Sequence, residues 1–233
     1  MKECVKRCLG EIIVSCQAYE DTPFYGSDNI KRFVESAMMG GAKVVRCCWP
    51  NDIKAARSLS DDLIIVGINK TNKTEGGHLQ DIFITPTFES AKEVIEAGAD
   101  IVAFDVRITE NRSKEDLLSL LSQVSESYPE VGIMADCATM EDARICVESG
   151  KVDILATTLS GMVNKDPGPD VGLLVEFKKS FDLPVNAEGR VWELADLKLL
   201  ADGKADMITI GTAITRPHLI AKRFIDYYKQ IRD

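Results

Sequence analysis

Four near-copies of one short pattern decide the fold of this chain. They read MMGGAKVV (38–45), EAGADIV (96–102), ESGKVDIL (148–155) and ADGKADMI (201–208). In each copy a run typical of a helix end meets glycine, then a short loop, then apolar residues typical of a strand. This is the order expected where a helix stops and a strand begins. Its recurrence predicts a repeated strand–helix unit.

Eight short apolar runs extend this pattern along the chain. They are continuous rather than alternating, as in strands buried on both faces. The predicted strands cover 11–17, 42–48, 63–69, 100–106, 131–136, 152–158, 183–188 and 205–211. Amphipathic helical patterns lie between them, for example at 27–41, 87–99, 139–150 and 193–203, and Ser27, Thr87 and Thr139 are predicted as N-caps.

Two architectures can hold eight such units. A doubly wound open sheet would usually carry a GxGxxG motif after its first strand, and SCQAYEDTPFYGSDN (15–29) lacks one. Eight units within 233 residues favour a single (β/α)8 TIM barrel, one α/β domain spanning 1–233. The opening MKECVKRCLG (1–10) is predicted as a short N-terminal helix across the bottom of the barrel.

Composition narrows the function. A net charge of -9 argues against a nucleic-acid or anionic-membrane surface, so an anionic ligand would need a local cationic site. The seven cysteines form no CxxC pair, and His78 and His218 give no zinc spacing, so no metal site is predicted. Unpaired thiols, with no signal peptide and no apolar run long enough for a membrane span, predict a cytoplasmic protein.

Polar groups stand where the predicted strands end, which is where chemistry collects in this fold. Since burying a charge is costly unless it is paired or used, packing alone does not explain them. In chain order these ends are Cys16-Gln17, Arg46, Lys70, Asp105, Asp136, Thr157-Thr158, Glu188-Gly189-Arg190 and Gly211-Thr212.

The last two strand ends predict a phosphate site. Gly189 and Gly211 allow backbone N–H groups to approach a ligand, and Gly211-Thr212 leads into a helix start. Arg190 and Arg216 could add a two-point clamp on the phosphate oxygens. The alternative is that both glycines are turn residues and both arginines are solvated.

Lys70 and Glu188 are the candidates for chemistry. Lys70 could bind phosphate, form a Schiff base or transfer protons, or it could be a surface loop lysine like its neighbour Lys73. Glu188 could act as a general acid/base, accept hydrogen bonds from sugar hydroxyls, or pair with Arg46 or Arg190.

Other polar groups near the strand ends have simpler interpretations. Asp105 and Asp136 lack a DxD-type cluster, so substrate recognition or pairing with Arg46 is favoured over metal binding. The cysteines near strand ends are interpreted as small buried hydrophobes, because no histidine stands beside them. Trp49 and Trp192 are expected to pack loops and outer helices.

The order of these motifs resembles the N-acetylmannosamine-6-phosphate 2-epimerase family over nearly the whole chain. The segments include IIVSCQA (12–18), FITPT (83–87), EAGADIVAFD (96–105), MADCAT (134–139), TTLSG (157–161), AEGR (187–190) and GTAITRP (211–217). Three loops differ from the family pattern, those after Lys70, after Asp105 and after Gly161.

The resemblance implies a barrel that interconverts N-acetylmannosamine 6-phosphate and N-acetylglucosamine 6-phosphate without a cofactor. It implies Lys70 and Glu188 as catalytic residues. Gln17, Arg46 and Asp136 would contact the substrate, and Gly189, Arg190, Gly211, Thr212 and Arg216 would hold its phosphate.

Three alternatives stay open on the sequence. Lys70 could serve a Schiff-base aldolase, the barrel could act on another phosphosugar, or the chain could be a non-catalytic phosphosugar-binding protein. The apolar positions of LIAKRFIDYYKQI (219–231) fit either internal packing or a homodimer contact.

Overall fold

A computed structural model describes residues 1–72 and 81–232 and shows a closed eight-stranded barrel. The strands are β1 Ile12–Cys16, β2 Val44–Cys48, β3 Ile64–Ile68, β4 Ile101–Asp105, β5 Gly132–Asp136, β6 Ile154–Ala156, β7 Val185–Glu188 and β8 Met207–Ile210. Each pairs in parallel with its sequence neighbour, and β8 pairs with β1. All eight lie within the predicted ranges, so the predicted TIM barrel is confirmed.

Helices follow the strands around the outside. They are α1 Glu3–Lys6, α2 Ser27–Met39, α3 Pro50–Arg57, α4 Phe88–Glu96, α5 Lys114–Ser127, α6 Met140–Ser149, α7 Val171–Ser180, α8 Leu194–Asp202, α9 Thr212–Thr215 and α10 Pro217–Arg232. A 3-10 turn covers Ser160–Met162.

The predicted helix starts are confirmed at two positions out of three. Thr87 and Thr139 each accept a hydrogen bond from the backbone three residues on, in reciprocal capping boxes. Ser27 instead lies inside α2, whose N-cap is Gly26. The Ser27 hydroxyl donates to Asp52 Oδ1 at 2.7 Å, so it links α2 to α3 and is not a cap.

Strand alternation separates two apolar layers. Residues such as Ile13, Val44 and Ile101 fill the barrel interior, while their neighbours Val14 and Val45 pack under the helices. The period of two continues to the strand ends. It therefore aims every second terminal side chain into the mouth of the barrel.

The predicted N-terminal helix α1 closes the bottom of the barrel. Val5 is fully buried and belongs to the same apolar cluster as Ile13 and Ile101. At Gly132 a Cβ would lie 2.9 Å from Ile101 Cγ1 and 3.3 Å from Val5 Cγ2. Only glycine gives α1 room to approach β5 this closely.

Candidate active site

The barrel mouth brings together strand-end side chains that are far apart in sequence. Arg46 on β2, Asp136 on β5 and Glu188 on β7 all follow the inward alternation of their strands. Arg46 is 1% exposed and Asp136 is 0% exposed. The charges are therefore removed from water and must be satisfied by one another.

Arg46 is the centre of this network. Its Nη1 and Nη2 donate to Asp136 Oδ1 and Oδ2 at 3.0 and 2.6 Å, a two-point ion pair, and Nη1 also donates to Glu188 Oε2 at 3.0 Å. Thr158 Oγ1 donates to Asp136 Oδ1 at 2.5 Å. Both pairings that the sequence suggested for Arg46, with Asp136 and with Glu188, are present.

The carboxyl of Glu188 lies in a buried site that disfavours its charged form. Burial raises the pKa of its carboxyl above the usual value, and the charge of Asp136 adds to the rise, while Arg46 and Lys70 oppose it. The buried Asn186 donates to Glu188 Oε2 at 3.3 Å and accepts from Thr209. A carboxyl with a raised pKa can take up or release a proton closer to neutral pH.

Lys70 extends past the end of β3 into the same mouth. Its Nζ donates to the Tyr19 hydroxyl at 2.8 Å, and its carbonyl accepts from the Trp49 indole Nε1 at 2.9 Å. The surface-loop alternative is therefore wrong, because Lys70 lines both cavities described next.

Two adjoining cavities open at the mouth. The larger cavity, of about 740 Å³, is lined by Gln17, Tyr19, Arg46, Lys70, Phe83, Ile84, Arg107, Thr158, Leu159, Gly161, Met162, Lys165 and Glu188. The smaller cavity, of about 170 Å³, is lined by Ser15, Gln17, Lys70, Glu188, Gly189, Arg190, Val191, Trp192, Thr209, Gly211, Thr212, Thr215 and Arg216. Gln17, Lys70 and Glu188 line both, so they mark the place where the two meet.

The smaller cavity is built by the loops after β7 and β8. Gly189 has a φ of 109°, a conformation that other residues rarely adopt. At Gly211 a Cβ would lie 3.3 Å from Ser15 Cβ. These two glycines keep the backbone close to the cavity, in the position of the phosphate site that recurs in this fold.

The two arginines of the predicted clamp differ. Arg216 Cζ lies 4.9 Å from the centre of the Tyr19 ring, at the wall of the smaller cavity. Arg190 donates from Nε to the Gly168 carbonyl at 2.6 Å and from Nη1 to the Asn164 carbonyl at 2.9 Å. These two donors stiffen the β6–α7 loop, a role that the sequence did not indicate.

Asp105 has different partners from those expected. It was predicted to recognise substrate or to pair with Arg46, but Arg107 donates to it from Nε at 2.9 Å and Nη2 at 2.6 Å, and Arg112 Nη2 lies at 3.9 Å. Asp105 is fully buried beneath these arginines. It anchors the β4–α5 loop, where the sequence departs from the family pattern.

The cysteines near the strand ends are buried, as interpreted from the sequence. Cys16, Cys47, Cys48 and Cys137 are 0% exposed. Burial raises the pKa of the Cys16 and Cys48 thiols to about 12, which suppresses the nucleophilic thiolate. Within residues 1–72 and 81–232 no cluster of His, Cys, Asp and Glu could hold a metal ion, and His78 lies outside these residues.

Three polar or aromatic residues of the mouth were not singled out from the sequence as site residues. Tyr19 and Asn186 are one inward position away from Gln17 and Glu188, respectively, so the period of two could have found them. Trp49 was expected only to pack a loop.

No helix in the described part of the chain has the length and apolarity that a membrane span requires.

Comparison with known proteins identifies the family of the chain. The family model described as "Putative N-acetylmannosamine-6-phosphate epimerase" matches residues 30–230. Two relatives are named "Putative N-acetylmannosamine-6-phosphate 2-epimerase". The one from Caldanaerobacter subterraneus subsp. tengcongensis is 34% identical, and the match covers 98% of this chain and 95% of the relative. The one from Clostridioides difficile is also 34% identical, and the match covers 93% of this chain and 95% of the relative.

The fold comparison leads to the same family. The solved N-acetylmannosamine-6-phosphate 2-epimerase from Clostridium perfringens superposes with a TM-score of 0.85 and 32% identity, covering 96% of this chain and 95% of that chain. Family match, identity and coverage agree over nearly the full length. The chain belongs to the N-acetylmannosamine-6-phosphate epimerase family.

Proposed function

We propose that this protein is an isomerase that interconverts N-acetylmannosamine 6-phosphate and N-acetylglucosamine 6-phosphate in amino-sugar (sialic acid) catabolism. The observation that carries the proposal is the convergence of Lys70 and Glu188. Both line the two cavities, one of which has the form of a phosphate site. The family match supports this reaction over the alternatives, a Schiff-base aldolase or a binding protein.

The reaction inverts C2 of the sugar by proton transfer. In the open-chain form the C2 proton is α to the C1 aldehyde, so a base can remove it and the electron pair moves to the aldehyde oxygen. A proton delivered to the opposite face of C2 then gives the other epimer. No redox cofactor is needed, because C2 has the same oxidation state in both sugars.

We assign the proton chemistry to Lys70 and Glu188. The amine of Lys70 can exchange the C2 proton, and Glu188, whose pKa is raised by burial, can exchange protons with the sugar hydroxyls during ring opening. Gln17, Arg46 and Asp136 are the proposed substrate contacts. Arg46 also fixes Glu188 through its 3.0 Å contact, which preorganises the carboxyl for catalysis.

We place the phosphate in the smaller cavity. Gly189, Gly211 and Thr212 would offer backbone groups, Arg216 its guanidinium, and Arg190 would close the β7 side of the cavity. Binding the far end of the substrate positions C2 between the catalytic groups. The larger cavity then receives the C1 end and the N-acetyl group.

We also propose a homodimer through α10. None of its sixteen described residues is buried, and Phe224, Ile225, Tyr228 and Ile231 are 54–69% exposed. An outer helix after β8 would normally cover β8 and β1. Instead an apolar cavity of about 640 Å³ remains on the outside of β1, lined by Ile12, Val14, Phe33, Ala37 and Ile214 among others.

A second copy of α10 fits this vacant position, because the cavity is the place where the helix that follows β8 would pack in a (β/α)8 barrel. Light scattering should then give twice the chain mass of 25.7 kDa. Phe224→Glu combined with Ile231→Glu should reduce the mass to that of one chain. A monomeric wild type would refute the dimer without affecting the proposed reaction.

The seven unpaired cysteines support a reducing, cytoplasmic location.

A coupled assay with N-acetylmannosamine 6-phosphate tests the reaction directly. We expect N-acetylglucosamine 6-phosphate as the product, and deuterium from D2O at C2. Cleavage of the sugar, or a borohydride-trapped adduct on Lys70, would support the aldolase instead. Binding of the phosphosugar with no turnover would support the non-catalytic alternative.

A further inference from the structure

We infer that Tyr19 and Trp49 are positioning residues that fix Lys70 against the reacting carbon and set its distance from the phosphate site. The inference rests on the proposed function, because it assigns to these residues the geometry of the proton-transfer amine. Neither aromatic residue was predicted from the sequence to serve the site.

Lys70 is held at both ends by this pair. The indole N–H of Trp49 donates to the Lys70 carbonyl at 2.9 Å, where the chain leaves β3. The amine at the other end donates to the Tyr19 hydroxyl at 2.8 Å. A lysine side chain has four rotatable bonds, and contacts at its backbone and its tip restrict them together.

The two aromatic rings act as one unit. They meet edge to face, with centroids 6.1 Å apart and planes at 81°, the arrangement that aromatic quadrupoles favour. Tyr19 is 8% exposed. Its carbonyl is held by the Thr22 backbone N–H and hydroxyl, at 2.9 and 2.7 Å. These contacts hold both the backbone and the ring of Tyr19, so the phenol hydroxyl is held in place.

Trp49 adopts a backbone conformation that is unfavourable for a residue with a side chain. Its φ is 68° and its ψ is 145°, a region that residues other than glycine rarely adopt. The backbone N–H donates to the Ile68 carbonyl at 2.9 Å, which ties the turn to the end of β3. Strained residues of this kind persist where the surrounding structure requires them, and here the side chain holds Lys70.

Tyr19 also touches the phosphate side of the site. Its ring centre is 5.2 Å from Lys70 Nζ and 4.9 Å from Arg216 Cζ, both within cation–π range. One ring therefore contacts both the cation of the reacting centre and the cation beside the phosphate cavity. This spacing sets how far C2 lies from the bound phosphate when both groups engage one substrate.

The test is Tyr19→Phe, which keeps the ring and removes the hydroxyl. We expect kcat to fall about 10- to 100-fold, the effect of one hydrogen bond to a charged group, with KM changed less than about twofold. With substrate deuterated at C2, the primary isotope effect on kcat should increase, because C2–H cleavage becomes more strongly rate-limiting. A merely structural role would leave this isotope effect unchanged.

A second variant and a matched control complete the design. Trp49→Phe keeps the edge contact with Tyr19 but removes the indole donor, and it should lower kcat and raise the isotope effect in the same direction. Tyr25→Phe is the control. Its ring also meets Trp49 edge-on, with centroids 6.2 Å apart, but its hydroxyl contacts Glu20 at the surface. We expect wild-type kinetics for it.

The outcomes separate this inference from the proposed function. Wild-type kcat and isotope effect in Tyr19→Phe would overturn the positioning role, even if Lys70→Ala is inactive. A rise in KM alone would also overturn it, because Tyr19 would then serve only the phosphate side. If Lys70→Ala keeps full epimerase activity, the proposed catalytic role of Lys70 is wrong, and the positioning role of Tyr19 and Trp49 is wrong with it. Circular dichroism on each variant identifies any that fail to fold, and the remaining aromatic variant then decides.

Discussion

Arg46 and Asp136 form a two-point ion pair across the barrel mouth, with N–O distances of 3.0 and 2.6 Å and almost no exposed surface on either side chain. Arg46 lies in β2, and Asp136 is the last residue of β5. Since a buried charge that loses its partner is strongly destabilising, this pair links stability to the site.

Removing Asp136 should therefore weaken the fold as well as the activity. Asp136→Ala leaves Arg46 with Glu188 as its carboxylate partner and is expected to lower the free energy of unfolding by about 3–5 kcal/mol. Urea unfolding measures this. Asp202→Ala, which removes the exposed Lys198–Asp202 pair, is the control and should cost less than about 1 kcal/mol. Equal losses in the two variants would show that the buried pair has no special weight.

Lys70 and Glu188 should be needed for turnover but not for folding. Lys70→Ala and Glu188→Gln are each expected to lower kcat by about 10²–10⁴-fold, the usual contribution of a proton-transfer group. The coupled assay measures this loss, and circular dichroism checks the fold. Near-normal turnover in either variant would remove that residue from the mechanism.

Arg216 should act on phosphate affinity. Arg216→Ala is expected to raise KM for the phosphosugar about 10- to 100-fold, the range for one charge-assisted hydrogen bond. Arg223→Ala is a matched control, because this arginine also lies over an aromatic ring, that of Trp192 at 5.4 Å, but outside the smaller cavity. An unchanged KM in Arg216→Ala would place the phosphate elsewhere.

Asp52 should make stability fall as pH rises. Burial raises the pKa of this carboxyl from 3.8 to about 6, and the hydrogen bond from Ser27 opposes the rise. Between these two pH values the unfolded chain loses the proton while the folded chain keeps it. The folded state therefore loses up to about 3 kcal/mol on going from pH 4 to pH 7.

Asp52→Asn removes this titration while keeping an acceptor for Ser27. Its urea midpoint should exceed that of the wild type at pH 7 and converge with it near pH 4. Asp28→Asn changes an exposed carboxylate in the first turn of α2 and serves as the control. A difference between Asp52→Asn and the wild type that does not vary with pH would contradict the assignment.

The thiols should react in order of exposure. Cys4 is half-buried and the other six cysteines are buried. Iodoacetamide at pH 8 is expected to label Cys4 first, with little loss of activity, and all seven cysteines after denaturation. Mass spectrometry of the labelled peptides checks the order. Fast labelling of Cys48 or Cys137 with loss of activity would overturn their interpretation as inert core residues.

The sequence by itself determined the barrel. Eight continuous apolar runs with helical patterns between them, four of which end at a glycine, leave few other arrangements, because every strand needs cover on both faces. The same local order placed Lys70 and Glu188 at strand ends. Position along a strand depends on a period of two, which can be read from the residues alone.

Only the tertiary structure decided which strand-end groups meet. The distances from Arg46 to Asp136 and from Lys70 to Tyr19 depend on how closure of the barrel brings separate strands together. The sequence could not show that Asp105 takes Arg107 and Arg112 as partners while Asp136 takes Arg46. Nor could it show that Arg190 holds a loop, because an arginine can extend in several directions from the same backbone position. Side-chain partners are set by three-dimensional proximity, and local sequence does not encode it.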